Sequence, residues 1–139
     1  LYLFSNTNGT RKSSFAAAIL RARWLLYPNE NCGGYFQYVT VDMLRNACMD
    51  FGGSGREQLA AWRETPILVL DDVGATRNTP HVVDEMCRLV MARYDAVLPL
   101  IMTANPNLQG LGEFLDPRVA SRMQEGGVVD MGSTDWRRP

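Results

Sequence analysis

Three short stretches of this chain carry residue types suited to chemistry. Lys12-Ser13 follows a polar loop, Ser5 to Arg11, which itself follows a short apolar run, Leu1 to Phe4. Asp71-Asp72 closes the apolar run Ile67 to Leu70, and Asn105 comes soon after the run Pro99 to Thr103. A lysine and a hydroxyl opening a helix, behind a loop of small polar residues, are suited to holding a polyphosphate. Backbone N–H groups and the helix N-terminus then face the anion. The full pattern G-x-x-x-x-G-K-[ST] needs glycine at 6 and 11, lysine at 12 and serine or threonine at 13. Asn6 and Arg11 occupy the glycine positions, while Lys12 and Ser13 fit. The competing reading is an ordinary Asn8-Gly9 turn between strand and helix. Composition bears on the choice: of 14 basic residues, the single lysine is Lys12. Reaching phosphates from a loop suits a compact, flexible ammonium better than a planar guanidinium.

Ligands of open α/β sheets sit at the carboxyl ends of the strands. The polar loop, Asp71-Asp72 and Asn105 all fall at such ends, and together they are what nucleotide hydrolysis needs. Asn6, Thr7, Asn8, Gly9, Thr10, Arg11, Lys12, Ser13 and Ser14 would surround the phosphates of ATP. Ser13 and Asp71 would hold Mg²⁺, directly or through water, Asp72 would polarise the attacking water and Asn105 would help orient it. The plain alternative for Asp71-Asp72 is a polar turn after a strand.

The elements that position these residues alternate. A helix runs from Lys12 to Tyr27, with Phe15, Ala18, Ile19, Ala22, Leu25 and Leu26 on one face. Pro28 ends it, and Asn29 to Gly34 is a turn-rich loop. Tyr35 to Thr40 reads as a strand. Asp42 to Asp50 reads as a helix with Asp42 at its N-cap and Met43, Leu44, Ala47 and Cys48 as its apolar face. After the break Phe51 to Gly55 comes a short helix, Arg56 to Glu64, and then the buried strand Ile67 to Leu70. Thr79-Pro80 starts a helix that reaches about Tyr94. Pro99 to Thr103 is the next strand and Leu108 to Phe114 a short helix. Asp116-Pro117 opens another, through Met123, which Gly126-Gly127 stops. Val128 to Met131 is the last strand. The expected architecture is a three-layer α/β sandwich on a mostly parallel five-stranded sheet, one domain over residues 1–139.

Composition sets the outer limits. The chain has 139 residues, 46% apolar and 21% charged, with net charge −1, so no global basic field announces nucleic acid. Three cysteines (Cys32, Cys48, Cys87) without a C-x-x-C indicate neither a disulfide framework nor a zinc site. Such cysteine usage makes a reducing cytosol the simplest compartment; no apolar run reaches membrane-spanning length, and no signal peptide is expected. The start on Leu1 leads to the expectation of a partner-binding segment upstream. Local DNA contact falls to Arg77 with Thr76, Asn78 and His81, the last by default an exposed residue in a first helical turn.

ILVLDDVGATR, then TANPN, then DPRVASRMQEGGVVDMGSTDWRRP together resemble the ATPase domain of DnaC/IstB-type AAA+ proteins, nearly along the whole chain. This family includes bacterial and phage helicase loaders and transposition helper ATPases. Gly9-Thr10 and Lys12 are similar to its phosphate loop, Asp71-Asp72-Val73-Gly74 to its Walker B motif, and Thr103-Ala104-Asn105 to its sensor 1. The resemblance implies a P-loop NTPase of AAA+ type that acts as a homo-oligomer, with Arg122 of Arg118-Val119-Ala120-Ser121-Arg122 as a finger reaching a neighbour's site in trans. Arg137 falls where the family has a sensor-2-like ending. Arginines four apart also suit a merely solvated helix face. The implied partners are ATP/ADP, a replicative helicase or a transposase, and single-stranded DNA. A helicase loader is the leading function. A transposition helper and a nucleotide-binding module with impaired turnover, motivated by Arg11, are the alternatives.

Overall fold

The computed structural model describes residues 1–26, 35–74 and 78–136. Five strands form one parallel sheet: β1 (Tyr2–Phe4), β2 (Phe36–Thr40), β3 (Ile67–Val73), β4 (Leu100–Ala104) and β5 (Val128–Asp130), in the order β2-β3-β4-β1-β5. Among the described residues six helices connect them: α1 (Lys12–Leu26), α2 (Val41–Met49), α3 (Ser54–Glu64), α4 (Pro80–Asp95), α5 (Leu108–Phe114) and α6 (Pro117–Glu125). The expected three-layer α/β architecture is present, and every strand pairing is parallel.

The layers are unequal, and the strands show why. Side chains alternate across a sheet. Tyr2, Leu68, Leu70 and Met102 enter a large core with residues of α2 to α6, including Leu44, Trp62, Met86, Leu89, Leu111 and Val119. Leu3, Val69 and Ile101 point the other way, onto Ala16 and Leu20 of α1. Among the described residues one helix therefore covers one face and five cover the other.

Several expected boundaries shift for local reasons. The strand expected to end at Leu70 continues through Asp71 and Asp72 to Val73, because the pairing with β4 survives a bulge. The helix-opening cap is the Thr40 hydroxyl, which accepts the Met43 N–H at 3.2 Å, rather than Asp42. Met43 is exposed; Val41, Leu44 and Ala47 form the buried face. In α1 the buried positions are Lys12, Ala16 and Leu20, whereas Phe15, Ala18, Ala22, Leu25 and Leu26 are exposed. An alanine-rich helix offers several faces of similar apolarity, and packing on Leu3, Val69 and Ile101 selects one. Thr79 caps α4 as expected, with Pro80 in its first turn. The loop Asn29 to Gly34 lies outside the described residues. Among those residues no helix is long and apolar enough to cross a membrane.

At the strand-entry edge, a buried arginine ties elements together. The fully buried Arg93 guanidinium donates to the carbonyls of Trp62 (2.9 Å), Thr65 (2.6 Å) and Pro99 (2.6 Å), joining the end of α3 to the approaches to β3 and β4. Burial pushes its pKa down to about 10, which leaves it charged at neutral pH. Helix α4 ends just beyond, where the Leu98 N–H donates to the Arg93 carbonyl at 2.9 Å and Val97 takes a left-handed backbone (φ 55). Glycine is favoured at that position, and a β-branched side chain is strained there. Val97 is 88% exposed, so its side chain adds little packing in return. Val97→Gly is expected to stabilise the protein by about 1 kcal/mol, read as a higher denaturation midpoint with an unchanged slope.

Candidate functional site

At the carboxyl edge of the sheet lies a cavity of about 300 Å³, lined by Asn8, Gly9, Thr10, Arg11, Lys12, Ser13, Ser14, Asp71, Asp72, Asn105 and Trp136. Its floor is the loop between β1 and α1. Ser5 starts that loop: its hydroxyl accepts the Thr7 N–H at 3.0 Å and donates to the Gly132 carbonyl at 2.6 Å. Lys12 is largely buried, and its ammonium donates to the Thr7 carbonyl at 3.4 Å. This folds the loop around the lysine at the N-terminus of α1. The first-turn N–H groups of a 15-residue helix lack intrahelical acceptors, which makes this end attractive to anions.

Two residues of the loop need left-handed backbone. Gly9 has φ 80, and a Cβ there would come within 1.9 Å of the Asp135 carboxylate. Arg11 has φ 63, a conformation glycine adopts at no steric cost and arginine only under strain. The glycine of the standard pattern at this position thus has a backbone reason, and the chain keeps the geometry despite Arg11. The guanidinium lies 5.6 Å from the centroid of the Trp136 ring.

The carboxylates come from the bulge in β3. Leu70 pairs with Met102 and Val73 with Ala104, so Asp71 and Asp72 together stand opposite Thr103. One extra residue on one strand bends it and breaks the strict alternation of faces. Asp72 takes up the change with φ 68. The Thr103 hydroxyl serves both residues: it donates to the Asp71 carboxylate at 2.5 Å and accepts the Asp72 N–H at 2.9 Å. Asp71 is consequently buried and Asp72 exposed, yet both line one cavity. Asn105 follows β4 directly and lines it too.

Tyr38, on β2, escapes a reading of motifs. Its hydroxyl donates to the Ser13 carbonyl at 3.4 Å. Burial, followed by the nearby Asp71 carboxylate, raises its pKa well above the ordinary tyrosine value. It therefore remains neutral beside the carboxylate. Its place in a stretch dense in β-branched and aromatic residues is the sequence signal that puts it on a strand.

The remaining expected residues fall elsewhere. Asn6 and Thr7 do not line the cavity; the Thr7 carbonyl is used within the loop. Arg122, on α6, is also absent from the lining. Its guanidinium lies 4.3 Å from the Tyr94 ring centroid and donates to Glu125 at 3.0 Å, while the Tyr94 hydroxyl donates to Glu125 at 2.7 Å. Arg118 pairs with Asp116 at 3.0 Å. Asn78 accepts from Arg45 at 2.9 Å, and His81 is exposed in the first turn of α4. Thr76, Arg77 and Arg137 lie outside the described residues.

Replacing Thr103 tests the bulge. Thr103→Val keeps the shape but leaves the Asp71 carboxylate and the Asp72 N–H without this partner. A loss of about 2–3 kcal/mol is expected, against about 1 kcal/mol for Thr103→Ser, which keeps the hydroxyl and removes one methyl. Denaturation midpoints check this, and a valine variant as stable as wild type would show that the hydroxyl does not organise the bulge.

No protein-family profile matches the chain. The Escherichia coli protein YdaV is 28% identical over 140 residues, spanning 98% of this chain and 54% of its own length, so the chain spans about half of that relative. Among solved structures, the DnaC helicase loader superimposes with a TM-score of 0.76 at 24% identity, over 95% of this chain and 77% of that one. AMPPCP-bound DnaA from Aquifex aeolicus gives a TM-score of 0.70 at 20% identity, over 94% of this chain and 39% of that one. With its parallel sheet and the loop at the end of β1, the chain has the α/β fold of these AAA+ P-loop domains.

Proposed function

We propose that this protein binds and hydrolyses ATP as an AAA+ ATPase acting in DNA replication, with helicase loading as its task. The observation that carries the reading is the cavity in which Lys12, the Asn8 to Ser14 loop, both carboxylates and Asn105 meet. Lys12 and the loop N–H groups hold the phosphates. Ser13 and Asp71 fit Mg²⁺, a hard cation that takes oxygen ligands and usually shares them with phosphates. When bound, the metal neutralises charge on the transferring phosphoryl group. Asp72 polarises the attacking water and Asn105 orients it. The DnaC likeness supports the loader role, as the AMPPCP-bound DnaA supports a nucleotide in the cavity.

Among the described residues the cations lining the cavity are Lys12 and Arg11, and hydrolysis in this reading uses a further one facing the γ-phosphate. Arg122 supplies it from a neighbouring subunit in this reading. Its side chain is 37% exposed on the surface of α6, where it is accessible to a neighbour. A trans arginine finger is worth ~10³-fold or more in turnover.

Phosphate release with Mg²⁺ and ATP tests the proposal. Turnover per subunit is expected to rise with protein concentration, or with single-stranded DNA that gathers subunits. Arg122→Ala and Asp72→Asn alone are expected to be nearly inactive. Mixed, they should recover part of the activity, because one supplies an intact site and the other an intact finger. Concentration-independent turnover with an active Arg122→Ala variant would contradict the trans role. Tight ATP binding without any release would leave a nucleotide-binding module.

A further inference from the structure

Trp136 belongs to no part of the machinery described above, yet it is the one aromatic residue among the described residues lining the cavity. It is not a loose end. The segment after β5 is fastened along the phosphate loop: Met131 N–H donates to the Phe4 carbonyl at 2.8 Å, Ser5 Oγ to the Gly132 carbonyl at 2.6 Å, and Trp136 N–H to the Gly9 carbonyl at 3.2 Å. Asp135 fills the space that the missing Cβ of Gly9 leaves open. The backbone of Trp136 is thus held against the loop, while 59% of the residue remains exposed.

The sheet order gives the position its meaning. β5 lies on the opposite side of β1 from β4 and β3. The carboxylates and Asn105 therefore flank the loop on one side and Trp136 flanks it on the other. A nucleotide with its terminal phosphate towards Asp71, Asp72 and Asn105 directs its nucleoside towards Trp136. The cavity, at about 300 Å³, is at the small end of the range for ligand sites. It suits the phosphates, with the base at its mouth.

We propose that Trp136 is the stacking platform for the base of the bound nucleoside triphosphate, and that Arg11 orients the ring from its own side. This rests on the nucleotide-binding reading above and adds the residue that distinguishes a nucleoside triphosphate from bare polyphosphate. An indole face grips a base by area rather than by its hydrogen-bonding edge. A guanidinium over an aromatic ring is attracted to it, so the strained Arg11 backbone has a use on this side of the loop.

Binding of ATP and of inorganic tripolyphosphate to the full chain, measured by calorimetry, tests the proposal. Wild type is expected to bind ATP more tightly than tripolyphosphate. Trp136→Ala is expected to weaken ATP about tenfold or more, the scale of an aromatic–base stack, and to leave tripolyphosphate binding unchanged. Trp136→Phe should recover most of the loss. The proposal is overturned if Trp136→Ala binds ATP as wild type does, or if both ligands weaken together, which would make the indole a strap for the loop. Tripolyphosphate binding with no preference for ATP would remove the platform and leave the phosphate site standing. Failure of wild type to bind either ligand would remove the proposed function itself.

Discussion

Two residues of one strand share a single partner on the next, and the site depends on that mismatch. In a regular strand Asp71 and Asp72 would point to opposite faces of the sheet. One would enter an apolar layer, where an unpaired carboxylate is very costly. The bulge against Thr103, with Asp72 in left-handed backbone, brings both to the cavity at the carboxyl edge. The Thr103 hydroxyl makes the arrangement specific, because it bonds the carboxylate of one aspartate and the backbone of the other.

The surrounding fold keeps this edge in place. Arg93 binds the approaches to β3 and β4 at the far edge, so those strands enter the sheet from fixed starting points. On the other face, α1 packs through Ala16 and Leu20 onto Leu3, Val69 and Ile101. Its N-terminus then stands at the end of β1 with Lys12 buried beneath the loop. The carboxylates and the helix N-terminus are separate anchors on one sheet, held by separate parts of the core.

Much of this arrangement is legible in the sequence because it is local. Ile67 to Leu70 and Pro99 to Met102 are unbroken apolar runs, and Thr79-Pro80 and Asp116-Pro117 carry their helix starts in the residue types themselves. What depends on long-range pairing is not legible. The end of β3 lies beyond Leu70 because β4 is present, whereas Asp71-Asp72 read alone looks like a turn. Alanine-rich α1 hides which face is buried. Arg93 resembles any arginine of a last helical turn, and only the fold shows the carbonyls around it. Tyr38 reaches the Ser13 carbonyl and Trp136 the cavity through sheet order, which spacing along the chain does not encode. Arg11 is legible as a departure from the glycine pattern, but its left-handed backbone and its contact with Trp136 are not.

The most direct test of the central claim, that this cavity holds a nucleotide through Lys12, is a titration with a fluorescent ATP analogue in the presence of Mg²⁺. Wild type is expected to give saturable binding, displaced by unlabelled ATP, and Lys12→Ala to lose it while retaining its fold by circular dichroism. Equal binding by the two proteins would place the nucleotide elsewhere and contradict the account.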